Sequence, residues 1–247
     1  MSLDAAPVVA HVVRNGFVES VHHGLAVVTD AASAVVRAVG DPTTPVFPRS
    51  SLKPVQAVGM LRAGAPLVGQ ALALACASHS GEPRHLEGVR AMLAASGLTV
   101  DALRNTPDFP LGDDPRDAWL ADRRGPESLA QNCSGKHAGM LAACVAQGWT
   151  TDDYLSPEHP LQQLLRATVT DLTGSPIVHT GVDGCGAPIH AIALAGLARA
   201  FGRLALAGAG GAATGGATHE ASVARAMVAH PELVGGEGRP PAGTSAR

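Results

Sequence analysis

Valine-rich runs of strand length open the chain. Residues 7–13 read PVVAHVV and residues 24–30 read GLAVVTD, with AASAVVRAVG following. Such a density of β-branched residues over short spans predicts strands. Asp30 and the small residues after it predict a hairpin turn. Pro42, Pro45 and Pro48 then punctuate the chain, and past them the period changes. Leu52, Val55, Val58 and Leu61 fall at three-residue steps, as on one face of a helix. Pro54 is tolerated only near a helix start and places that start close to Ser50 or Ser51.

Helical patterning dominates the remainder. Residues 71–80, ALALACASHS, form an apolar stretch of small residues that closes on polar groups. Residues 81–97 predict a helix stopped by glycine, and residues 106–128, rich in proline and acids, predict a surface loop or short turns. A helix is expected from Ser134 to Gly148, with Leu141 and Val145 on one face. Another is expected over 157–172, carrying Leu161, Leu164, Leu165, Val169 and Leu172. Residues 175–201 predict a short strand, a Gly-rich turn and a helix ending near Phe201. From Gly208 to Gly216, five of nine residues are Gly, which predicts a flexible loop, here bounded as 207–217. One more helix is expected over 218–234. The last residues have no apolar period and are expected to fray, leaving a single domain over 1–238 and a disordered tail over 239–247. No internal repeat is present. Strands first, then many helices with few strands after them, predict an α+β class with one side of the sheet under-supplied.

Composition narrows the function classes. With 46% apolar and 16% charged residues in 247, the chain is globular rather than disordered. A net charge of −3 gives no reason to expect nucleic acid or an anionic membrane as partner. No apolar run approaches the roughly 20 residues of a membrane span. The first residues carry an early acid and no basic start before an apolar core, so no secretory signal is expected. The four cysteines contain no CxxC pair, and reduced thiols in a cytoplasmic protein are the expectation.

Lysine usage brings chemistry into the picture. Of 18 basic residues, only Lys53 and Lys136 are lysines. An ammonium can lose its proton when buried and a guanidinium cannot, so each lysine in an Arg-rich chain raises the question of a neutral amine. Ser50 and Lys53 form an SxxK tetrapeptide at a helix start, in which a neutral amine can take the serine proton and make a nucleophile. A capping serine and a solvated lysine fit the same residues; the scarcity of lysine weighs for chemistry. In CASHS, Ser78, His79 and Ser80 end an apolar run where side chains emerge at a pocket rim, or simply form a polar turn. In QNCSGKHAGM, Cys133, Lys136 and His137 surround a helix start, and GVDGCGAP supplies Asp183 and Cys185. Two thiolates with nitrogen or carboxylate neighbours could bind zinc. The spacing is not a standard zinc pattern, and from the residues alone two buried thiols beside tight turns are the favoured reading.

VRNGFVESVHHG, PRSSLKP, CASHSGEPRH, QNCSGKHAGML, GVDGCGAP and MVAHPELVGGEGR occur in this order. Together they resemble the class 3, Rhizobium etli-type L-asparaginases of the asparaginase II family, from about Val12 to Arg239. The resemblance implies a serine β-lactamase-like (penicillin-binding-protein-like) fold and hydrolysis of L-asparagine to L-aspartate and ammonia. It implies Ser50 and Lys53 as one Ser–Lys pair and Ser78 as the serine of a second. It further implies Cys133, Lys136 and Cys185 as ligands of one zinc ion near the substrate, with Arg49, His137 and Asp183 close by. A homodimer is the expected assembly. Family members continue past GEGR through the second lysine and further strands, whereas this chain turns into RPPAGTSAR. That predicts a C-terminally truncated form, with Ser78 lacking a lysine and a sheet edge left unpaired. Two other readings stay open: a catalytically dead zinc-binding remnant, and an SxxK hydrolase acting on a β-lactam or peptide, which the absent export signal disfavours.

Overall fold

A computed structural model describes residues 5–210 and 218–236. The tail expected over 239–247, and the Gly-rich loop from residue 211 to 217, lie outside the described residues.

The N-terminal strands pair locally. β1 (Val8–Arg14) and β2 (Phe17–His23) form an antiparallel hairpin. Asn15 and Gly16 both take positive φ, 49° and 83°, as a two-residue turn matched to strand twist requires. β3 (Ala26–Thr29) and β4 (Val35–Val39) form the next hairpin. The predicted turn at Asp30 holds it: its Oδ1 accepts the Ala34 N–H at 2.8 Å. The strand over 17–23 was not expected from its own composition; the Asn-Gly dipeptide is the signal that marks it. Every residue of β1 and β2 is exposed, so their valines lie outside the core.

A third sheet has the order β5 (Pro45–Val46), β7 (Pro188–Ala193), β6 (His179–Val182), all antiparallel. The sequence pattern predicts a helix directly after the Gly-rich turn, but the chain first forms β7. β7 is buried on both faces, so it shows no alternation, and its apolar run merges with that of α7 (Leu194–Ala209). The boundary is set from outside: Leu194 N–H donates to Thr44 O and Ala195 N–H to Pro42 O. Strands in small antiparallel sheets, followed and interleaved by helices, make the chain α+β.

The core is helical. A 3-10 turn, Arg49–Leu52, leads into α1 (Lys53–Arg62), as Pro54 predicts. α2 (Gly69–Ala75), α3 (Pro83–Ala95), α5 (Ser134–Gln147) and α6 (Pro160–Thr173) pack around it. α5 ends on Gly148 at φ 66°, which is the predicted stop. The region expected to be loop contains α4 (Asp113–Ala121). Trp119 is its one buried residue, so it has no apolar stripe to read, while two acids in its first turn favour the helix electrostatically. Pro231 breaks the last predicted helix into α8 (His219–Ala229) and α9 (Pro231–Val234). Among the described residues no helix is long and apolar enough to cross a membrane.

α5 is buried from Ser134 to Cys144 and lies in the middle of the molecule. Gly135 and Gly139 allow this. A Cβ at Gly135 would overlap the Leu74 backbone carbonyl of α2, and one at Gly139 would come within 2.9 Å of the Met60 sulfur of α1. Because the first obstacle is backbone, Gly135→Ala is expected to destabilise the protein by about 1–3 kcal/mol, read as a lower urea midpoint with unchanged slope.

His190, on β7, is buried and its Nδ1 shares a hydrogen bond with Thr180 Oγ1 at 3.0 Å. Burial, with Arg166 adding to it, pushes the imidazole down to about 4. The unfolded chain therefore binds this proton more readily, and the stability the neutral ring confers is lost as pH falls from about 6.5 toward 4. His190→Asn, which keeps a partner for Thr180, is expected to remove about 2 kcal/mol of the stability difference between pH 7 and pH 5. Urea unfolding at the two pH values measures it.

Candidate active site

Both lysines are buried, at 2% and 3% exposure, in the first turns of the two innermost helices. Lys53 is the first residue of α1 and Lys136 the third of α5. Lys53 Nζ donates to Ala77 O at 2.5 Å and to Ser78 Oγ at 2.8 Å. Burial pulls this amine below its ordinary range, and the Lys136 charge works in the same direction against the opposing pull of Cys133. Ser78, half-buried just past α2, thus has the lysine partner that the sequence reading denied it. The helix packing brings the residues after α2 over the start of α1, a proximity that no spacing along the chain encodes.

Ser50 lies exposed in the 3-10 turn just before Lys53. Beside it Arg49 takes φ 51°, a sparsely populated conformation for a side-chain-bearing residue. Arg49 Nη2 meets Asp183 Oδ1 at 2.8 Å. The pair ties the Ser50 turn to the β6–β7 loop. In that loop the Gly186 N–H donates to Asp183 O, and Gly186 takes φ 84°, folding Cys185 inward.

Cys133 caps the start of α5, and the inward fold brings Cys185 against it. A hydrogen bond from Cys185 pulls the Cys133 thiol down to about 5, helped by the charges of Lys53 and Lys136 and opposed by burial. The same shared proton holds Cys185 above its usual range. Lys136 Nζ donates to Cys185 Sγ at 3.1 Å. Burial pushes the other two thiols, Cys76 and Cys144, up to about 12, so they stay protonated and inert.

His137, fully buried, is pushed down to about 4 by burial first and the Lys136 charge second. Its Nδ1 is 2.8 Å from Tyr154 Oη.

The structure therefore brings Lys53, Ser78, Cys133, Lys136, Cys185 and His137 into one buried cluster, with Arg49 and Asp183 paired alongside and Ser50 on the exposed approach. Among the described residues no three His, Cys, Asp or Glu side chains gather as a metal site. The sequence-derived set contains two thiols and an amine, and these three donors do converge. One thiol is readily ionised, and His137 Nε2 is a buried polar atom without a hydrogen-bonded partner. That donor set suits a borderline-soft divalent ion such as zinc.

Several supporting residues lie outside the predicted set of site residues. Gln131 Oε1 accepts the Cys133 N–H at 3.0 Å and the Asn105 Nδ2–H at 3.0 Å. His79 Nε2 and Ser134 Oγ are 2.9 Å apart, which joins the CASHS segment to the start of α5. Nothing in the sequence marks Asn105, whereas Gln131 opens the QNCSGKHAGM motif. Tyr154 is the single tyrosine of the chain, a rarity as informative as that of the lysines. An apolar cleft of about 310 Å³, lined by Leu67, Leu74, Met92 and Leu233 among others, includes none of the clustered residues.

A sequence model of the L-asparaginase II family matches residues 10–243. Comparison with curated proteins gave no match.

Proposed function

The chain belongs to the L-asparaginase II family and is an asparagine amidohydrolase, and on that premise we propose that its chemistry runs on a buried Ser–Lys pair. The observation that carries the reading is the 2.8 Å contact of Lys53 Nζ with Ser78 Oγ, inside a site where burial lowers the amine. With the amine neutral, one N–H stays on Ala77 O and the lone pair accepts the Ser78 hydroxyl proton. Ser78 Oγ then attacks the side-chain amide carbon of L-asparagine. Lys53 returns the proton to the departing nitrogen, ammonia leaves, and water cleaves the aspartyl ester to L-aspartate. Ser50 is the second candidate hydroxyl: it precedes the same lysine by three residues and is the more accessible of the two.

Arg49 and Asp183 form an opposite-charge pair that matches the α-carboxylate and α-ammonium of an amino acid. We assign them to holding those groups, with His137 lining the buried side. Cys133, Cys185 and Lys136 would hold a zinc ion, which when bound supplies positive charge that orients the substrate. The ordered motifs support placement in the class 3, Rhizobium etli-type branch. An SxxK turn opening a buried helix beside an antiparallel sheet supports a serine β-lactamase-like architecture. One main hydrophobic core, which draws on helices from α1 to α9, supports a single domain. The exposed apolar residues of β1 and β2 support assembly as a homodimer, and a cytoplasmic location belongs to the same proposal.

Ammonia release from L-asparagine tests the pair. Ser78→Ala is expected to lower kcat by at least about 100-fold with an unchanged melting temperature, and Ser50→Ala to retain a measurable rate. The reverse order would move the nucleophile to Ser50, and full activity in both variants would sink the Ser–Lys reading. Arg49→Ala is expected to raise KM for asparagine about tenfold or more with a smaller effect on kcat, because its partner is the non-reacting end of the substrate.

A further inference from the structure

Ser78, the serine bonded to Lys53, is followed by residues whose backbone is pinned by remote segments. The His79 N–H donates to Asn132 O at 3.2 Å, and the Ser80 N–H to Gly235 O at 3.1 Å. Ser80 O accepts the Gly112 N–H at 2.8 Å. Gly235 and Gly236 follow α9 as a strap laid over Ser80 and Glu82. A Cβ at Gly236, where φ is 109°, would overlap Ser80 Oγ and Glu82 Oε1. Leu233 of α9 anchors the strap in the core. One side chain ties α9 to the start of α3. His85 is fully buried, and its Nε2 lies 3.0 Å from Glu232 O. Its Nδ1 accepts the Glu82 N–H at 3.1 Å. A carbonyl only accepts and a backbone amide only donates, so Nδ1 is bare and Nε2 carries the hydrogen. Burial lowers the imidazole, in keeping with a neutral ring.

We propose that His85 is a positioning residue of the reaction, latching the α9 strap onto the loop that carries Ser78 and so holding the Ser78 hydroxyl against the Lys53 amine. The ring reaches two elements at once. One nitrogen closes the first turn of α3, and the other fixes α9. With α9 fixed, Gly235 O meets the Ser80 N–H two residues beyond Ser78. Stacking of the ring on His79, with centroids 5.1 Å apart, is a second contact with the same loop. Ser78 Oγ meets Lys53 Nζ across one 2.8 Å contact, and proton transfer over such a contact is lost steeply on misplacement. The latch follows from the hydrogen bonds and the close packing of the strap. Its consequence for turnover rests on the Ser78–Lys53 chemistry proposed above.

Two substitutions separate the two ring nitrogens. His85→Asn places an acceptor near the Nδ1 position, keeping the Glu82 bond and giving up the one to Glu232 O. His85→Gln places an N–H near the Nε2 position, keeping Glu232 O and giving up the Glu82 bond. Both lose the stacking on His79, which cancels in the comparison. Ammonia release from L-asparagine and NMR exchange of the Ser80 amide are measured on the full chain. His85→Asn is expected to lower kcat about tenfold with KM nearly unchanged, and to speed Ser80 exchange about tenfold or more. His85→Gln should stay close to wild type in both. Gly236→Ala, with His85 intact, should reproduce the losses of His85→Asn. Equal losses in the two His85 variants, or larger ones in His85→Gln, overturn the latch in favour of a role confined to the start of α3. Wild-type kcat in Gly236→Ala overturns the proposal even if neither His85 variant folds. Faster Ser80 exchange with unchanged kcat overturns the positioning role and leaves Ser78 as nucleophile intact. Full activity in Ser78→Ala overturns the nucleophile instead, and the exchange comparison still decides the latch.

Discussion

Two amines buried side by side at the starts of the two innermost helices are the constraint on which the rest of the structure depends. An ammonium loses hydration in such a place, and the positive end of a helix and a like-charged neighbour each disfavour it further. The fold answers with a backbone carbonyl, a serine hydroxyl and two thiols. Ala77 O and Ser78 Oγ take the Lys53 amine, and Cys185 takes Lys136. The readily ionised Cys133 supplies the compensating negative charge. The interactions that make the lysines tolerable are the same ones that make Lys53 a base and the thiols a donor set.

Bringing these groups together requires close backbones. α5 lies against α2 and α1 with glycine at the points of nearest approach, so Lys136 and Cys133 come up to the residues that follow α2. From the other side, the β6–β7 loop turns Cys185 inward and is tied down by the Arg49–Asp183 pair. Helix ends and tight loops, held by a rigid helical core, contribute the reactive groups. The last described residues close the arrangement: Gly235 O accepts the Ser80 N–H and Glu232 O accepts from His85 Nε2.

Much of this was legible beforehand where a residue imposes its own geometry. Pro54 placed the start of α1 and Gly148 the end of α5. The scarcity of lysine singled out Lys53 and Lys136, and six ordered motifs identified the family. Patterning failed where burial erased or withheld contrast. β7 is apolar on both faces and blends into α7, while α4 buries a single tryptophan and has no stripe. The strand over 17–23 was marked by Asn15-Gly16 rather than by its own residues, and Tyr154 by its uniqueness.

The sequence by itself determined which side chains could do this chemistry, because amine, thiol and hydroxyl reactivity belong to residue types, and rare types in fixed motifs are informative. Only the tertiary structure decided their pairing. Spacing joined Lys53 to Ser50 three residues away, whereas packing sets its amine on Ser78. Helix–helix approach, not separation along the chain, determines which buried donor finds which acceptor.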